Sequence, residues 1–471
     1  MTEKIMSYTF NPTILREYDI RGQIDKNLSE KDAYALGRAF GTYIIQEHTD
    51  TTKHTICVGY DGRLSSVALS DSLIQGLKEC GVSVINVGLG PTPMLYFAVK
   101  HFNAEAGIMV TGSHNPPDYN GFKMTLNKSP IFGENIQKIG QISAAGDLIE
   151  GDGTLEEKDI KDVYVDRLIQ DLDLTREMTV AWDAGNGAAG EILQMLVKKI
   201  PGEHHLLFED IDGTFPNHHP DPTVDENLVD LQALVAEKSC DLGIAFDGDG
   251  DRIGVVDEKG DVLRCDILMT IYAREVIKNN PKAHIIGDVK CSQVMFDEIR
   301  NMGGTPVMWK TGHSLVKDKM RELNSPLAGE LSGHIFFADK YYGFDDALYC
   351  SVRLLNELSK ATGGLSSLTA HLPKLFNTPE LRIEVSEEEK FDLVPRVLES
   401  LKILAENDDT IELNDIDGVR VTTPDGWWLL RPSNTQDVLV ARMESDSADG
   451  LTRLKNMASD EVKKLGYTFT F

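Results

Sequence analysis

The stretch TICVGYDGRLSSVALSDSLIQGLKECG, residues 55–81, runs from a short apolar strand through a small polar turn into an amphipathic helix. Two later stretches follow the same plan, MTVAWDAGNGAAGEILQMLVKKI at 178–200 and HIIGDVKCSQVMFDEIRNMG at 284–303. Apolar strands that alternate with helical patterns predict α/β units. The three stretches share the order of their elements and not their amino-acid sequence. They are therefore either copies of one ancestral unit or three ordinary α/β units.

The C-terminal part of the chain has a different pattern. After about residue 375, LRIEVSEEEK at 381–390 and IELNDIDGVRVTTPDGWWLLRPSNTQDVLVARMES at 411–445 predict strands at hairpin distance, followed by one last helix. This pattern favours a separate α+β domain. Two Gly-containing segments, the acidic GDLIEGDGTLEEKD at 146–159 and KATGGLSS at 360–367, are predicted to be boundary regions.

Length and charge limit the possible partners. At 471 residues the chain is long for one hydrophobic core, and typical domain sizes predict roughly three or four domains. A total of 47 Lys and Arg against 75 Asp and Glu gives a formal charge of −28. That field repels nucleic acid and anionic lipid surfaces, so neither is expected as a partner. A small anionic substrate would need a local basic pocket.

The cysteines and the N-terminus bear on the compartment. The six cysteines are scattered with no CxxC or metal spacing, which indicates reduced, buried thiols. The first residues, MTEKIMSYTF, lack the basic-then-apolar pattern of a signal peptide, and no apolar run approaches a membrane span. We therefore expect a cytoplasmic protein.

A serine lies in a loop built from turn-forming residues. The apolar run AEAGIMV at 104–110 predicts a buried strand, and TGSHNPPDYNGFK at 111–123 follows it. Ends of strands are where α/β proteins place their ligands. An acyl-transfer role for Ser113 fails because the G-x-S-x-G elbow would need glycines where Thr111 and Asn115 stand. No nucleotide-binding G-x-x-x-x-G-K-[ST] loop is present.

Three aspartates, Asp247, Asp249 and Asp251, alternate with glycines directly after the apolar run DLGIAF. Carboxylates this close need a cation, and hard oxygen ligands suit Mg²⁺ or Ca²⁺. The spacing superficially matches a calcium EF-hand, with Glu258 at the twelfth place. That alternative fails because Arg252 occupies the place of the turn glycine and both flanks read as strands. A solvated acidic turn is the remaining alternative.

Four loops taken together resemble those of the α-D-phosphohexomutases, in particular the bacterial phosphomannomutase/phosphoglucomutase branch. They are TGSHNPPDYNGFK at 111–123, DGDGDR at 247–252, GELSGH at 329–334 and RPSNTQD at 431–437, in the order and spacing of that family. The resemblance extends to EYDIRG at 17–22, DVKCS at 288–292 and KTGHSLVK at 310–317. The resemblance covers nearly the whole chain. The occurrence of all these loops in the same order is far more specific than the occurrence of any single loop.

The resemblance implies a fold of four domains around a central cleft. Three similar α/β domains with mixed sheets precede a C-terminal α+β domain, in agreement with the three strand-turn-helix stretches. The expected domains are residues 1–157 with the serine loop, 158–261 with the metal loop, 262–374 with the sugar loop and 375–471 with the phosphate loop.

The resemblance also implies the chemistry. Ser113 would carry a phosphoryl group, and Mg²⁺ would be held by that phosphoserine together with the three aspartates. Lys123 and Arg252 would stabilise charge on the transferring phosphoryl group. The general acid and base are expected among Arg21, Lys123 and His334, and the sequence does not assign the two roles.

Two further loops are expected to bind the substrate. The phosphate loop offers Arg431, Ser433, Asn434 and Thr435 to the phosphate that is not being transferred. In the sugar loop, Glu330 and Ser332 resemble the family's contacts to the 3- and 4-hydroxyls of the sugar. Other cleft residues implied by the resemblance are Tyr18, Lys290, His313 and His334.

The predicted function is a Mg²⁺-dependent phosphohexomutase that interconverts the 1- and 6-phosphates of mannose and glucose through a 1,6-bisphosphate, acting as a monomer. A phosphoglucosamine mutase is the alternative within the family, although its serine loop usually has alanine where this chain has Gly112. A non-catalytic sugar-phosphate-binding protein is the alternative from another class. Such a protein would not require Ser113, Lys123 or the three aspartates.

Overall fold

The structure is a computed structural model that describes residues 7–47, 53–127, 130–434 and 438–469. Within these residues, four β-sheets follow one another, and helices cover each of them. The first three sheets mix parallel and antiparallel strands, and the fourth is antiparallel. The predicted fold class, three mixed α/β units followed by an α+β unit, is confirmed.

The first sheet has the strand order β1-β5-β4-β2-β3-β6. Its central strand β4 is buried along its whole length, as expected of the apolar run before the serine loop. The elements of this unit are β1 (Ile20–Gln23), α1 (Glu30–Glu47), β2 (Thr55–Tyr60), α2 (Ser66–Lys78), β3 (Ser83–Leu89), α3 (Thr92–His101), β4 (Ala106–Val110), β5 (Tyr119–Leu126), α4 (Glu134–Ala145) and β6 (Leu155–Glu157), after a short 3-10 turn at Pro12–Ile14.

The second sheet has the order β11-β10-β9-β7-β8. Its strands β9 and β10 are wholly buried and pair antiparallel, so the three aspartates lie in the turn that joins them. The elements are α5 (Lys161–Ile169), β7 (Met178–Asp183), α6 (Gly190–Val197), β8 (Gly202–Leu207), α7 (Val229–Lys238), β9 (Leu242–Phe246), β10 (Ile253–Asp257) and β11 (Val262–Leu263), with a 3-10 turn at Asp225–Leu228.

The third sheet is smaller and has the order β13-β12-β14-β15. The sugar loop is the turn between its antiparallel strands β14 and β15. The elements are α8 (Cys265–Asn279), β12 (His284–Asp288), α9 (Gln293–Asn301), β13 (Thr305–Trp309), α10 (His313–Leu323), β14 (Leu327–Gly329), β15 (Ile335–Phe337), α11 (Ala347–Lys360) and α12 (Leu365–Thr369).

The fourth sheet has the order β16-β21-β20-β19-β18, and β17 also pairs with β21. The phosphate loop joins β20 to β21, as the hairpin spacing of the sequence predicts. The elements are β16 (Phe376–Asn377), β17 (Leu381–Glu384), α13 (Glu387–Ala405), β18 (Glu412–Asn414), β19 (Val419–Thr423), β20 (Gly426–Pro432), β21 (Val438–Ser445) and α14 (Ala448–Lys464).

One apolar core extends through the first three units, and the first unit has a second cluster of its own around Phe40 and Ile108. That core runs from Cys57 and Phe97 through Trp182 and Phe246 to Leu365, whereas the fourth sheet packs α13 and α14 over a separate cluster around Trp428. Because burial of apolar surface is the main driving force of folding, the shared core fixes the relative placement of three of the four loops. The fourth loop is carried by a unit with its own core.

Two segments predicted to be boundaries have local structure. The acidic segment at 146–159 contains β6, which adds a parallel edge strand to the first sheet by pairing with β3. The segment at 360–367 holds the turn between α11 and α12 and the first residues of α12, among which Ser366 donates to the carboxylate of Glu258. Within the described ranges, none of the helices has the length and hydropathy needed to cross a bilayer.

Candidate active site

The serine loop holds Ser113 in an unusual backbone conformation. Ser113 follows β4, is 2 % exposed and has a φ of +50°, in the left-handed region that residues other than glycine rarely adopt. Its N–H donates to the Thr111 hydroxyl at 2.8 Å, and the Asn115 N–H donates to the Gly112 carbonyl at 2.9 Å. Strained backbone of this kind costs about 1–3 kcal/mol and persists only where the surroundings enforce it.

The metal loop meets the serine loop across two sheets. Ser113 Oγ donates to Asp247 Oδ2 at 3.1 Å, and a methyl group added at Gly248 would overlap the carbonyl oxygen of Ser113. The backbones of the two loops are therefore in direct contact. Oxygens of Asp247, Asp249 and Asp251 lie within 4.8 Å of one another, and all three residues are completely buried. The structure thus brings together the four residues that the sequence predicts as metal ligands.

Lys123 supplies the nearest positive charge to these carboxylates. Its Nζ donates to Asp249 Oδ2 at 2.7 Å and also to Asp251. Burial opposes charge on the lysine, but the three carboxylates raise its pKa above the usual value. Burial alone would raise the pKa of Asp249, but Lys123 and the Thr92 hydroxyl lower it below its usual value. Burial and the other two carboxylates raise the pKa of Asp247 well above its usual value.

The three aspartates fit a divalent cation. Asp249 Oδ1 and Asp251 Oδ1 are buried and have no hydrogen-bond partner among the described residues. A buried carboxylate oxygen without a partner is costly, and oxygen ligands of this kind are those that hard divalent cations prefer. The unsatisfied oxygens therefore point to a metal ion as the missing partner.

Arg252 and His334 join the metal loop to the sugar loop. Arg252 Nε donates to His334 Nε2 at 3.0 Å, and the N–H of Ile253 donates to the Gly333 carbonyl at 3.1 Å. His334 Nδ1 lies 2.9 Å from Asp345 Oδ2. Because arginine can only donate, Nε2 of His334 is an acceptor here, and the ring proton belongs on Nδ1, towards Asp345.

The sugar loop forms a compact turn around Glu330. This side chain is 2 % exposed and accepts from the Gly312 N–H at 2.9 Å and from the Ser332 hydroxyl at 3.1 Å. Its pKa is raised, mainly by burial. Gly312 has a φ of +132°, and a methyl group there would meet the ring of Tyr18 at 2.5 Å from Cζ. Only glycine leaves room for Tyr18 beside the sugar loop.

Lys290 and His313 also lie at this cleft. Lys290 is 5 % exposed, and its Nζ donates to Glu380 at 3.1 Å and lies 3.7 Å from Asp288. The ring of His313 stacks on that of His334 with centroids 5.5 Å apart. Burial and the nearby Lys317 ammonium lower the pKa of His313 well below its usual value, so this imidazole is neutral.

The phosphate loop reaches the first and third units. Arg431 donates from Nε at 2.9 Å and from Nη2 at 3.2 Å to the carboxylate of Asp417. Asn434 Nδ2 donates to the Tyr18 hydroxyl at 2.5 Å, and that hydroxyl donates to the Thr311 carbonyl at 2.8 Å. Ser433 is buried beside this contact. Thr435, also predicted to bind phosphate, lies outside the described residues.

Arg21 lies beside the serine loop. Its Nη1 donates to Asn115 Oδ1 at 2.8 Å, and its Nη2 donates to Asp19 at 2.5 Å. Strand β1, which carries Arg21, pairs with β5, which carries Lys123. All the predicted site residues within the described ranges therefore line one set of contacting loops.

Several polar residues at this site were not predicted from the sequence. Asp345 and Asp417 belong to no motif, because each is recognisable only by the side chain that it faces, His334 or Arg431. Arg63 follows strand β2 in the turn DGR, next to the serine loop at the same sheet edge. A polar turn directly after a buried strand was the signal that would have identified it. Other polar residues at the site that were not predicted include Asp61, Thr92 and His114.

Family models match the chain in four consecutive parts. Domains I, II and III of phosphoglucomutase/phosphomannomutase, each described as alpha/beta/alpha, match residues 12–150, 162–260 and 264–376. The C-terminal domain of the same family matches residues 380–461.

Relatives of known name cover almost the whole chain. A phosphomannomutase/phosphoglucomutase of Pseudomonas aeruginosa is 43% identical over 97% of this chain and 96% of its own length. A phosphoglucomutase of Neisseria gonorrhoeae is 42% identical over 94% of this chain and 95% of its own length. The crystal structure of a phosphoglucomutase/phosphomannomutase family protein from Burkholderia thailandensis superimposes with a TM-score of 0.91 at 42% identity, covering 98% of this chain and 100% of that one. The chain therefore belongs to the phosphoglucomutase/phosphomannomutase family, a group of α-D-phosphohexomutases.

Proposed function

We propose that this chain interconverts the 1-phosphates and 6-phosphates of mannose and glucose, with Ser113 as the residue that carries the phosphoryl group. As a member of its family the chain is a hexose-phosphate mutase, an isomerase. The observation that carries the proposal is the position of Ser113 Oγ, 3.1 Å from a carboxylate of the buried aspartate cluster. The left-handed backbone of Ser113 at this contact also supports a functional constraint on the loop.

The proposed cycle has two phosphoryl transfers. The phosphoserine gives its phosphoryl group to the free hydroxyl of a hexose monophosphate, so that a 1,6-bisphosphate forms and the Ser113 hydroxyl is regenerated. The bisphosphate then turns around in the cleft and returns its other phosphoryl group to Ser113. The net reaction moves the phosphate between carbon 1 and carbon 6, and no phosphate is lost to water.

We propose Mg²⁺ as the metal, held by Asp247, Asp249, Asp251 and an oxygen of the phosphoserine. When bound, Mg²⁺ neutralises the anionic group and withdraws electron density from phosphorus. A phosphoserine carries a charge of about −1.5 to −2, so it needs this compensation beside three carboxylates. Lys123 and Arg252 add positive charge from the protein. The contact of Lys123 with Asp249 already fixes the lysine charge beside the metal site, so little reorganisation of Lys123 is needed for the transition state.

Proton transfer is assigned among Arg21, Lys123 and His334. Burial opposes charge on Lys123, but its carboxylate neighbours raise its pKa, so it gives up its proton less readily. Its contacts therefore support charge stabilisation of the phosphoryl group more than proton donation. His334 Nε2 accepts from Arg252, so it can accept a proton from a hydroxyl only after Arg252 turns towards the phosphoryl group. Arg21 is held by Asn115 and Asp19, which supports an orienting role.

Substrate recognition is divided between two loops. Arg431, Ser433, Asn434 and Thr435 would hold the phosphate that is not transferred, while Glu330 and Ser332 would bind the 3- and 4-hydroxyls. Tyr18, Lys290 and His313 would complete the cleft between them. Arg431 uses Nε and Nη2 on Asp417, which leaves Nη1 to donate to a phosphate oxygen.

We also propose that the protein acts as a monomer in the cytoplasm. Every group assigned to the reaction comes from this one chain, so no second copy is needed to complete the site. All six cysteines are free and buried, which supports a reducing compartment.

The experiment is a set of turnover assays that are monitored by phosphorus NMR. The 1-phosphates of glucose, mannose, galactose and glucosamine are each incubated with the protein, Mg²⁺ and a trace of glucose 1,6-bisphosphate. Glucose and mannose differ only at carbon 2, which neither Glu330 nor Ser332 is proposed to contact, so both should convert with similar kcat/KM.

Galactose 1-phosphate should be a poor substrate, because inversion at carbon 4 leaves the Glu330 carboxylate poorly paired, at a cost of about 1–3 kcal/mol. Conversion of neither glucose nor mannose would contradict the proposal. Preference for glucosamine 1-phosphate would support the phosphoglucosamine mutase alternative. Binding without turnover of any sugar would support the non-catalytic alternative.

A further inference from the structure

Arg63 makes an unusual number of contacts with the serine loop. This residue lies between β2 and α2, and its side chain is completely buried. Its guanidinium donates to four main-chain carbonyls: from Nη2 to Ser113 at 2.7 Å and Asn115 at 2.6 Å, and from Nη1 to Pro116 at 2.5 Å and Tyr119 at 3.0 Å. One side chain thus joins both ends of the turn that presents Ser113.

Asp61 contacts the same loop and also forms an ion pair with Arg63. Its Oδ2 accepts from the Gly112 N–H at 3.1 Å and lies 3.2 Å from Arg63 Nε. Its Oδ1 accepts from the Arg63 N–H at 3.0 Å and from the Ser66 hydroxyl at 2.6 Å. The ion pair therefore connects Gly112, the residue before the serine, to the carbonyls that follow it.

The guanidinium of Arg63 is enclosed on both faces. A methyl group added at Gly112 would come within 2.5 Å of Arg63 Cζ, so the inner face packs on glycine backbone. The ring of Phe215, from the second unit, lies over the same guanidinium with its centroid 5.2 Å from Cζ. The side chain of Arg63 is therefore tightly enclosed, and its hydrogen bonds tie the loop carbonyls to it.

We propose that Arg63, with Asp61, is the positioning residue that keeps Ser113 in its left-handed conformation and its Oγ directed at the aspartate cluster. This inference rests on the proposed function, since it concerns the serine that carries the phosphoryl group. Arg63 touches only main chain of the loop and does not act on the reacting atoms. Its effect is on the geometry of transfer, where a displacement of about 1 Å is enough to reduce the rate about 100-fold.

The test compares Arg63→Lys and Asp61→Asn with a matched control. Lysine keeps the charge but lacks the planar fork that reaches four carbonyls. The control is Arg38→Lys in α1, because Arg38 is also buried and also donates to a carboxylate and a main-chain carbonyl, those of Glu79 and Ile149, away from the site. Any loss of stability from replacing a buried arginine is therefore shared by both lysine variants.

Three quantities are measured on each full-length variant with Mg²⁺ present. They are kcat and KM for glucose 1-phosphate, the lifetime of the phosphoserine in the absence of sugar by mass spectrometry of the intact protein, and Tm. We expect Arg63→Lys to lower kcat about 100-fold with KM changed less than about threefold, and to shorten the phosphoserine lifetime by admitting water. Asp61→Asn should change the same quantities in the same direction, and Arg38→Lys should change Tm alone.

The outcomes separate this inference from the proposed function. If the wild-type protein never carries a phosphoryl group on Ser113, the proposed function fails and the positioning role fails with it. If the wild type is phosphorylated and active while Arg63→Lys and Asp61→Asn keep wild-type kcat and phosphoserine lifetime, only the positioning role is overturned. If Arg63→Lys does not fold, the comparison rests on Asp61→Asn, which retains the side-chain shape, against the wild type.

Discussion

Ser113 Oγ and Asp247 Oδ2 lie 3.1 Å apart although the two residues follow strands of different sheets, β4 in the first and β9 in the second. Contact between the two loop backbones sets this distance, because Gly248 leaves no space for a methyl group beside the Ser113 carbonyl. The serine and the aspartate cluster are therefore held at a fixed separation by packing between two units that share one core.

Replacement of Gly248 by alanine should separate the two loops. The added methyl overlaps main chain, which cannot rotate away, so we expect kcat to fall at least 10-fold. Gly243→Ala is the control: it lies in β9 of the same unit, where a methyl would meet the Leu231 and Val235 side chains. That variant should lose Tm through overpacking and keep kcat near the wild-type value. Equal kcat values in the two variants would contradict the idea that the loop spacing matters.

Replacement of Asp249 by asparagine should weaken metal binding. One hard anionic ligand is lost, so the Mg²⁺ concentration for half-maximal activity should rise at least 10-fold. Thr92→Val is the comparison, because it removes the hydroxyl that donates to Asp249 and leaves the carboxylate in place. Its Mg²⁺ midpoint should move less than that of Asp249→Asn. An unchanged midpoint in Asp249→Asn would remove Asp249 from the metal site.

Much of this site could be predicted from the sequence because its residues are adjacent in the chain. Ser113 stands among turn residues after an apolar strand, and the three aspartates alternate with glycine after another, so each loop is recognisable alone. The α/β units follow from apolar runs that alternate with helical patterns, whereas the mixed sheets were an expectation from family resemblance. That the four loops meet at one cleft was an expectation from family resemblance.

Other features of the structure could not be predicted from the sequence, because they depend on contacts between distant segments. Asp345 and Asp417 are ordinary acids in the sequence, and their roles become visible only where their carboxylates face His334 and Arg431. The β6 strand was hidden for another reason: residues 155–157 are exposed and two of the three are acidic, and only main-chain pairing with β3 makes them a strand. Tertiary context outweighs local propensity in such places.

Asp417 is expected to act on substrate binding through Arg431. The bidentate contact orients the guanidinium, so Asp417→Asn should raise KM for glucose 1-phosphate about 10-fold and change kcat less than about threefold. Asp425→Asn is a matched control in the same unit, since Asp425 makes a similar two-point contact with the exposed Arg453. Steady-state kinetics of the two variants provide the check. Unchanged KM in Asp417→Asn, or an equal rise in Asp425→Asn, would argue against this role.

We expect titration of the buried Asp346 carboxylate to make the stability of the protein depend on pH. Its buried carboxylate accepts from the Tyr164 and Tyr341 hydroxyls at 2.8 and 2.7 Å and from the Tyr349 N–H at 2.9 Å. Burial raises its pKa from 3.8 to about 6. Between those values the native state binds more protons than the unfolded chain, so the free energy of unfolding falls as pH rises through this window.

Asp346→Asn should remove this contribution, because asparagine stays uncharged at every pH in the window. The variant's stability relative to the wild type should rise by about 2 kcal/mol between pH 4 and pH 7, since each pKa unit corresponds to about 1.4 kcal/mol and the range begins just above the unfolded pKa. The measurement is Tm of both proteins across that range. Parallel Tm curves for the two proteins would show that Asp346 does not titrate there.

The central claim is that the phosphoryl group travels on Ser113. The most direct measurement is peptide mass spectrometry of the protein after incubation with Mg²⁺ and glucose 1,6-bisphosphate, with glucose 1-phosphate turnover followed on the same samples. We expect one phosphoryl group on Ser113 in the wild type, which is lost when excess glucose 1-phosphate is added and replaced as turnover proceeds. We also expect no phosphoryl group and no steady turnover in Ser113→Ala. Wild-type turnover in Ser113→Ala, or an active wild type in which Ser113 never carries a phosphoryl group, would contradict this role of Ser113.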